Sequence, residues 1–243
     1  MSSKTKKLVE EVNKPKIVVI IPAMNEEHSI GKVIDDIPLT DKSAILVCNN
    51  ASTDRTVEVA KAAGATVLDE PRAGYGWACL KGMEYANKMV PKPDIIVFID
   101  GDYSDYPQEM SLVVAPILTN DIDLVIGSRA LGKKEKGSMT FPQRFGNWLA
   151  TRLMKLFYGV RYTDLGPFRA IKFEKLMALG MSDKTYGWTI EMQLRAARSN
   201  YSYTEVPVNY KKRIGKSKVS GTIKGTILAG YKIIMAVFKY RWV

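Results

Sequence analysis

The stretch "DIIVFIDGDYSDYP", residues 94–107, decides the fold. An unbroken apolar run from Ile95 to Ile99 ends in Asp100 and Asp102, and a third carboxylate follows at Asp105. A short apolar run that stops at a Gly-Asp turn reads as a buried strand. Like charges at close range repel unless something positive lies between them. The cluster therefore either faces water or holds a cation.

The same pattern recurs upstream. "KIVVIIP" (16–22) and "AILVCNN" (44–50) read as strands, and "TVLDE" (66–70) as a shorter one. Between them, "EEHSIGKVIDDI" (26–37), "TDRTVEVAKAAGA" (53–65) and "GWACLKGMEYANKM" (76–89) have helical periodicity, with Thr53 or Asp54 able to cap the second. Continuous apolar strands alternating with helices predict an α/β fold with a mostly parallel sheet covered on both faces. Ligands on such sheets bind beyond the carboxyl ends of the strands. "PAMNEE" (22–27), "NNASTD" (49–54) and "DGDYSD" (100–105) all fall there. Three polar segments at three strand ends describe one site.

The second half is less regular. "DLVIGSR" (123–129) predicts a strand, "ALGKKEKGS" (130–138) a basic loop and "PQRFGNWLATRLMKLFYGV" (142–160) a helix. "WTIEMQLRAARS" (188–199) predicts a further helix and "YTEVPVNYKK" (203–212) a strand. This divides the chain into a tail over residues 1–15, one domain over 16–220 and a C-terminal amphipathic helix over 221–243. That last segment could span a bilayer by length, but Lys224, Lys232 and Lys239 interrupt it. A lysine near the centre of a membrane costs about 2.5–3.5 kcal/mol. The segment is expected to lie at an interface, on a peripheral membrane surface, or to pack on the protein or on a second subunit as a homo-oligomer.

Composition narrows the partners. Lys and Arg number 36 against 25 Asp and Glu, a formal charge of +11 over 243 residues. Such a surplus suits an anionic partner, whether nucleic acid, a phosphorylated substrate or a membrane surface. No nucleic-acid-binding motif is present, and the acidic pair would sit badly against a phosphate without a metal, so no nucleic acid is expected. Cys48 and Cys79 are the only cysteines and lack metal-ligand spacing, which fits a reduced cytoplasmic protein. No signal peptide is expected in the polar, lysine-rich first residues.

Mg²⁺ and Mn²⁺ prefer oxygen ligands and keep phosphates in their shell, so Asp100 and Asp102 at a strand end suit such an ion. "YKKRIGKSK" (210–218) gathers five basic residues, with Gly215 allowing a tight loop. The single histidine, His28, reads as a surface residue of the first helix.

Together, P-A-x-N-E, x-N-x-S-T-D-x-T, D-x-D and G-S-R resemble the family-2 glycosyltransferases of the GT-A fold. "DLGPFRAI" (164–171), "GWTIEM" (187–192) and "RIGKSK" (213–218) resemble one branch, the polyprenyl- (dolichyl-) phosphate sugar synthases. The similarity covers roughly residues 16–230. It implies nucleotide-sugar contacts from Pro22, Ala23, Asn25, Glu26, Asn50, Asp54, Asp100, Gly101, Arg213 and Lys218. It also implies Mg²⁺ or Mn²⁺ on Asp100 and Asp102, and an acceptor phosphate held by Arg129, Arg169 and Ser217. The catalytic group would comprise Asp102, Arg129, Asp164 and Glu191. Where relatives often pair aspartates, this chain has Asn49 and Asn50, and a glutamine common after the D-x-D is Ser104.

A hydroxyl acceptor requires a general base, for which Asp164 and Glu191 are the candidates. A phosphate acceptor, with a second pKa of about 6, is already mostly dianionic at neutral pH and needs none. The expected activity is inverting transfer of a hexose from a nucleotide sugar, UDP-glucose first, to a polyprenyl phosphate. A GDP-mannose donor or a sugar-hydroxyl acceptor is the alternative.

Overall fold

The computed structural model describes residues 15–38, 44–215 and 223–242, with side chains of the last stretch described over 230–241. Ser217 and Lys218 lie outside the described residues. Strands β1 (Ile17–Ala23), β2 (Ala44–Asn49), β3 (Thr66–Asp69) and β4 (Ile95–Phe98) match the four runs read from the first half. With β5 (Leu124–Ser128), β6 (Arg169–Lys172) and β7 (Tyr203–Pro207) they form one seven-stranded sheet in the order β3-β2-β1-β4-β6-β5-β7. Only β6 runs against its neighbours, pairing antiparallel with both β4 and β5. Every residue of β1 is buried, as a strand covered on both faces requires. β3 and β7, at the two edges, are partly exposed.

Helices cover both faces. Helices α1 (Ile30–Asp35), α2 (Thr56–Ala62) and α4 (Met110–Asn120) pack on one, around Val19, Ile21, Val97 and Ile30. Helices α3 (Tyr75–Lys88), α5 (Phe141–Tyr158), α6 (Phe173–Ala178) and α7 (Trp188–Arg198) pack on the other, around Phe98 and Trp188. Phe98 meets the Trp188 ring edge-on at 4.6 Å between centroids. A final helix, α8 (Ile223–Trp242), leans on α5 and α7. Tyr158 donates to the Val237 carbonyl at 2.6 Å, and Arg198 donates to the Tyr240 carbonyl at 3.0 Å. So α8 packs on the protein along one side, burying Ala236, Val237 and Tyr240, while Tyr231, Met235 and Phe238 stay exposed. No helix among the described residues is long and apolar enough to cross a membrane.

Two expectations are corrected. The first helix is shorter than residues 26–37, because hydrogen bonds to the β2–α2 loop hold the chain before it in turns. The strand expected over 203–212 ends at Pro207, and residues 208–214 instead cross the D-x-D turn.

Strand order places the site. From β1 the chain steps outward to β2 and β3, then returns across to β4 on the other side of β1. The order reverses between β1 and β4, and a crevice at such a switch point is where open α/β sheets take ligands. The carboxyl ends of those two strands lead into Pro22-Ala23-Met24 and Asp100-Gly101-Asp102.

Candidate active site

The loop after β1 is braced against the loop after β2. Asn25, at φ +53°, accepts from the Thr53 amide at 2.8 Å, and its own amide donates to Ser52 Oγ at 3.0 Å. Asp54 accepts from the amides of Glu27 (3.1 Å) and Thr56 (3.0 Å). Burial raises the Asp54 pKa, but hydrogen bonds from Thr56 and Glu27 outweigh it and leave the carboxyl below its ordinary value. Neither Asn25 nor Asp54 lines the crevice. They shape it, and Pro22, Ala23, Met24, Glu26 and Asn50 face it.

Asn50 is similarly occupied. Its amide donates to the Glu70 and Arg72 carbonyls at 3.2 and 2.7 Å and accepts from the Gly74 amide at 2.8 Å. It thereby ties β2 to the turn that starts α3, whose Tyr75 hydroxyl donates to Asp100 Oδ1 at 3.0 Å. These elements enclose a cavity of about 330 Å³ that also reaches Gly101, Asp102, Thr185, Tyr186 and Arg213.

At its floor lies the acidic turn. Asp102 accepts from the Ser104 amide and hydroxyl at 2.9 and 2.5 Å, and its other oxygen meets Arg213 Nη1 at 3.1 Å. Arg213 reaches Glu26 with its second Nη at 3.2 Å, bridging the β1 loop and the D-x-D turn. Arg213 is placed there because residues 211–214 run over the turn: the Lys211 amide bonds the Ser104 carbonyl and the Ile214 amide bonds the Asp102 carbonyl, both at 2.9 Å. Burial, then the charge of Asp102, raises the Asp100 pKa to about 7. Asp105 is buried with no hydrogen-bond partner among the described residues on either carboxylate oxygen, and burial followed by the charge of Asp100 pushes its pKa well up. The turn thus holds carboxyl groups whose charged forms the protein's own partners do not fully stabilise, which fits an added cation.

A second cavity of about 290 Å³ adjoins the first and shares Tyr75, Asp100, Asp102, Tyr186 and Arg213 with it. It is further lined by Arg129 and Tyr210, by the polar Gln143, Asn147 and Thr189, and by the apolar Met139 and Pro142 near the start of α5, Leu165, Pro167 and Ile233 of α8. Arg129 donates to Asp164 from Nε, Nη2 and its backbone amide, at 2.8, 2.7 and 2.8 Å. Asp164 is therefore the holder of Arg129, with its carboxylate buried behind it.

The geometry corrects three sequence-derived roles. Asp164 has no free edge toward the cavity and is not placed as a base. Glu191 is fully buried and lines neither cavity. Its carboxylate accepts from Ser182, Asp183, Arg195 and Tyr240. Arg169 is fully buried too, and its guanidinium is spent on the carbonyls of Leu165, Gly166 and Thr189. It locks the "DLGPF" turn and is not brought to an acceptor. Sequence reading also missed Tyr75, Tyr186 and Tyr210, which line the cavities. The signal available was a tyrosine beside glycine in "AGYGW" and "KTYGW".

Comparison with known proteins accords with this arrangement. The family signature described as "Glycosyl transferase family 2" matches residues 18–180. A protein of Mycobacterium tuberculosis named only as an uncharacterised glycosyltransferase is 33% identical over 216 residues, covering 88% of this chain and 94% of its own. A dolichyl-phosphate hexose transferase of Haloferax volcanii is 31% identical over 229 residues, covering 93% and 95%. Among solved structures, glucosyl-3-phosphoglycerate synthase from Mycobacterium tuberculosis, in complex with Mn²⁺, UDP and phosphoglyceric acid, superposes with a TM-score of 0.76 at 24% identity, covering 98% and 82%. That likeness shows the GT-A fold.

Proposed function

Because the chain belongs to glycosyltransferase family 2, we propose that it moves a hexose from a nucleotide sugar, UDP-glucose in the first instance, to the phosphate of a polyprenyl lipid. One observation carries the reading. The second cavity is lined both by two guanidinium groups, Arg129 and Arg213, and by the apolar side chains of Met139, Pro142, Leu165, Pro167 and Ile233. Such a lining would suit a lipid phosphate, with its head on the guanidinium groups and its chain on the apolar side chains, and a sugar or phosphoglycerate acceptor would leave those side chains unused.

Asp100 and Asp102 would hold Mg²⁺ or Mn²⁺. Among the described residues no three acidic, histidine or cysteine side chains gather as a metal cluster, so most of the ion's shell would come from donor phosphate and water. When bound, the ion supplies positive charge that offsets the charge growing on the departing diphosphate. Arg213, already beside Asp102, adds a second cation at that place. The acceptor phosphate oxygen bonds the anomeric carbon as the bond from that carbon to the nucleotide diphosphate breaks, and the configuration inverts. No proton needs removal from a mostly dianionic phosphate. The engaged state of Asp164 and Glu191 accords with a reaction that requires no carboxylate base.

The lipid places the enzyme at the cytoplasmic face of a membrane as a peripheral protein. Exposed Phe141, Phe145 and Trp148 follow one another at helical spacing along α5, the helix whose Pro142 and Gly146 line the second cavity, beside Arg144 and Arg152. Apolar and cationic signals together give reversible, salt-sensitive binding to anionic bilayers.

The test offers UDP-glucose with Mn²⁺ and two acceptors of equal chain length, a polyprenyl phosphate and the free polyprenol. Glycosylation of the phosphate alone is expected. Equal glycosylation of the alcohol would overturn the assignment, because a hydroxyl acceptor requires a general base, a role for which neither Asp164 nor Glu191 is placed.

A further inference from the structure

Glu191, released from the role of base, has another. It sits one turn into α7, and its carboxylate accepts from five donor groups. The Ser182 amide (3.0 Å) and hydroxyl (2.8 Å), Arg195 Nε (2.8 Å) and the Tyr240 hydroxyl (2.7 Å) meet Oε1, and the Asp183 amide (2.7 Å) meets Oε2. Three of these donors belong to residues 182–183 and one belongs to α8. The carboxylate thus joins the loop over residues 182–187 to the last helix.

That loop is seated on the donor side of the site. The Lys184 carbonyl accepts from the Trp77 amide at 3.2 Å. The contact is so close that a Cβ at Gly74 would lie 2.2 Å from the Lys184 carbonyl oxygen, and one at Gly76 2.1 Å from that of Asp183. Thr185 and Tyr186 then wall the first cavity, and Tyr186 walls the second as well. Helix α8 grips the loop a second time, through Lys232 Nζ on Thr185 Oγ1 at 2.7 Å. The same helix offers Ile233 to the second cavity.

We infer that Glu191 is a positioning residue through which the seating of α8 sets the 182–187 loop, and with it the wall of the donor cavity. The inference rests on the reading of that cavity as a nucleotide-sugar site. Helix α8 is then a coupling element: whatever presses or lifts it at the acceptor side changes donor affinity at the other.

The experiment compares the full-length protein with Tyr240→Phe, Lys232→Met and Glu191→Gln. Tyr240→Phe removes one hydroxyl and leaves Glu191 four donors, so it keeps the fold even where Glu191→Gln does not. Amide exchange is read first. The amides of Ser182, Asp183 and Trp77 are expected to exchange about tenfold faster in Tyr240→Phe and Lys232→Met, with β1 and β4 unchanged. Faster exchange confined to α8, with those three amides unaffected, would mean a merely structural contact and overturn the inference. Binding of UDP-glucose with Mn²⁺ is read next, and the two variants should raise its Kd about three- to tenfold at little change in kcat. Wild-type binding with unaltered affinity in both variants would also overturn it. If the wild type binds no nucleotide sugar, the reading of the cavity fails, and the exchange data alone decide whether the coupling exists.

Discussion

Asp100 is held where its charge is unwelcome, and the consequence is measurable without any substrate. Its pKa stands near 7 against an ordinary value of 3.8, chiefly through burial and then through Asp102. Above pH 7 the carboxylate is ionised in folded and unfolded chains alike, and the folded state bears the full penalty. As pH falls from 7 toward 4, the folded chain takes up its proton first and the penalty shrinks; below 4 it is gone. Metal-free Asp100→Asn should therefore be more stable than wild type by about 1–3 kcal/mol at pH 8 and converge with it near pH 4. Denaturant melts at the two pH values check this, and a gap that does not change with pH would remove the argument. Asp102→Asn should abolish transfer and Mn²⁺-dependent donor binding while the fold survives. Full activity of that variant, or of wild type in EDTA, would sink the metal assignment. The acidic pair was legible in sequence because a strand end exposes whatever follows it. Asp164, Arg169 and Glu191 were not, since residue type says nothing of whether a side chain's hydrogen bonds are already spent in the fold.

At the scale of elements, long periodic segments were the readable ones. β1, β2 and β4 are apolar runs rich in Ile and Val, and α3 and α5 have clear helical spacing, so their bounds fall within a few residues of expectation. β6 was missed because its four residues give no period and its antiparallel pairing is decided by β4 and β5 on either side. Helix α4 was missed because its near-continuous apolar stretch, with Pro116 inside, hides the helical spacing. The α5 surface yields a prediction of its own. Phe145 and Trp148 are each about half exposed (51% and 52%), so they contribute little to the core. The double variant Phe145→Ser and Trp148→Ser should lose most of its binding to phosphatidylglycerol liposomes while its Tm stays within a few degrees of wild type. High salt should release wild-type protein as well. Undiminished liposome binding by the variant would move the membrane contact elsewhere, and no binding by wild type would leave the ridge as a contact between copies.

At the scale of the whole molecule, the fold delivers opposite chemistries to one place. The switch point between β1 and β4 brings the acidic turn under a donor-sized cavity, and the returning chain lays Arg213 across it. Helices α5 and α8 and the "DLGPF" turn then wall the adjoining second cavity. The formal charge of +11 agrees with the proposed donor, acceptor and membrane surface, all of which are anionic. The most direct test supplies the purified chain with labelled UDP-glucose, GDP-mannose or UDP-N-acetylglucosamine, each with polyprenyl phosphate and Mn²⁺, and extracts the lipid. Label from UDP-glucose is expected in the organic phase, and EDTA should keep it out. Label that stays in the aqueous phase with all three donors, or that enters the lipid regardless of EDTA, would contradict the account.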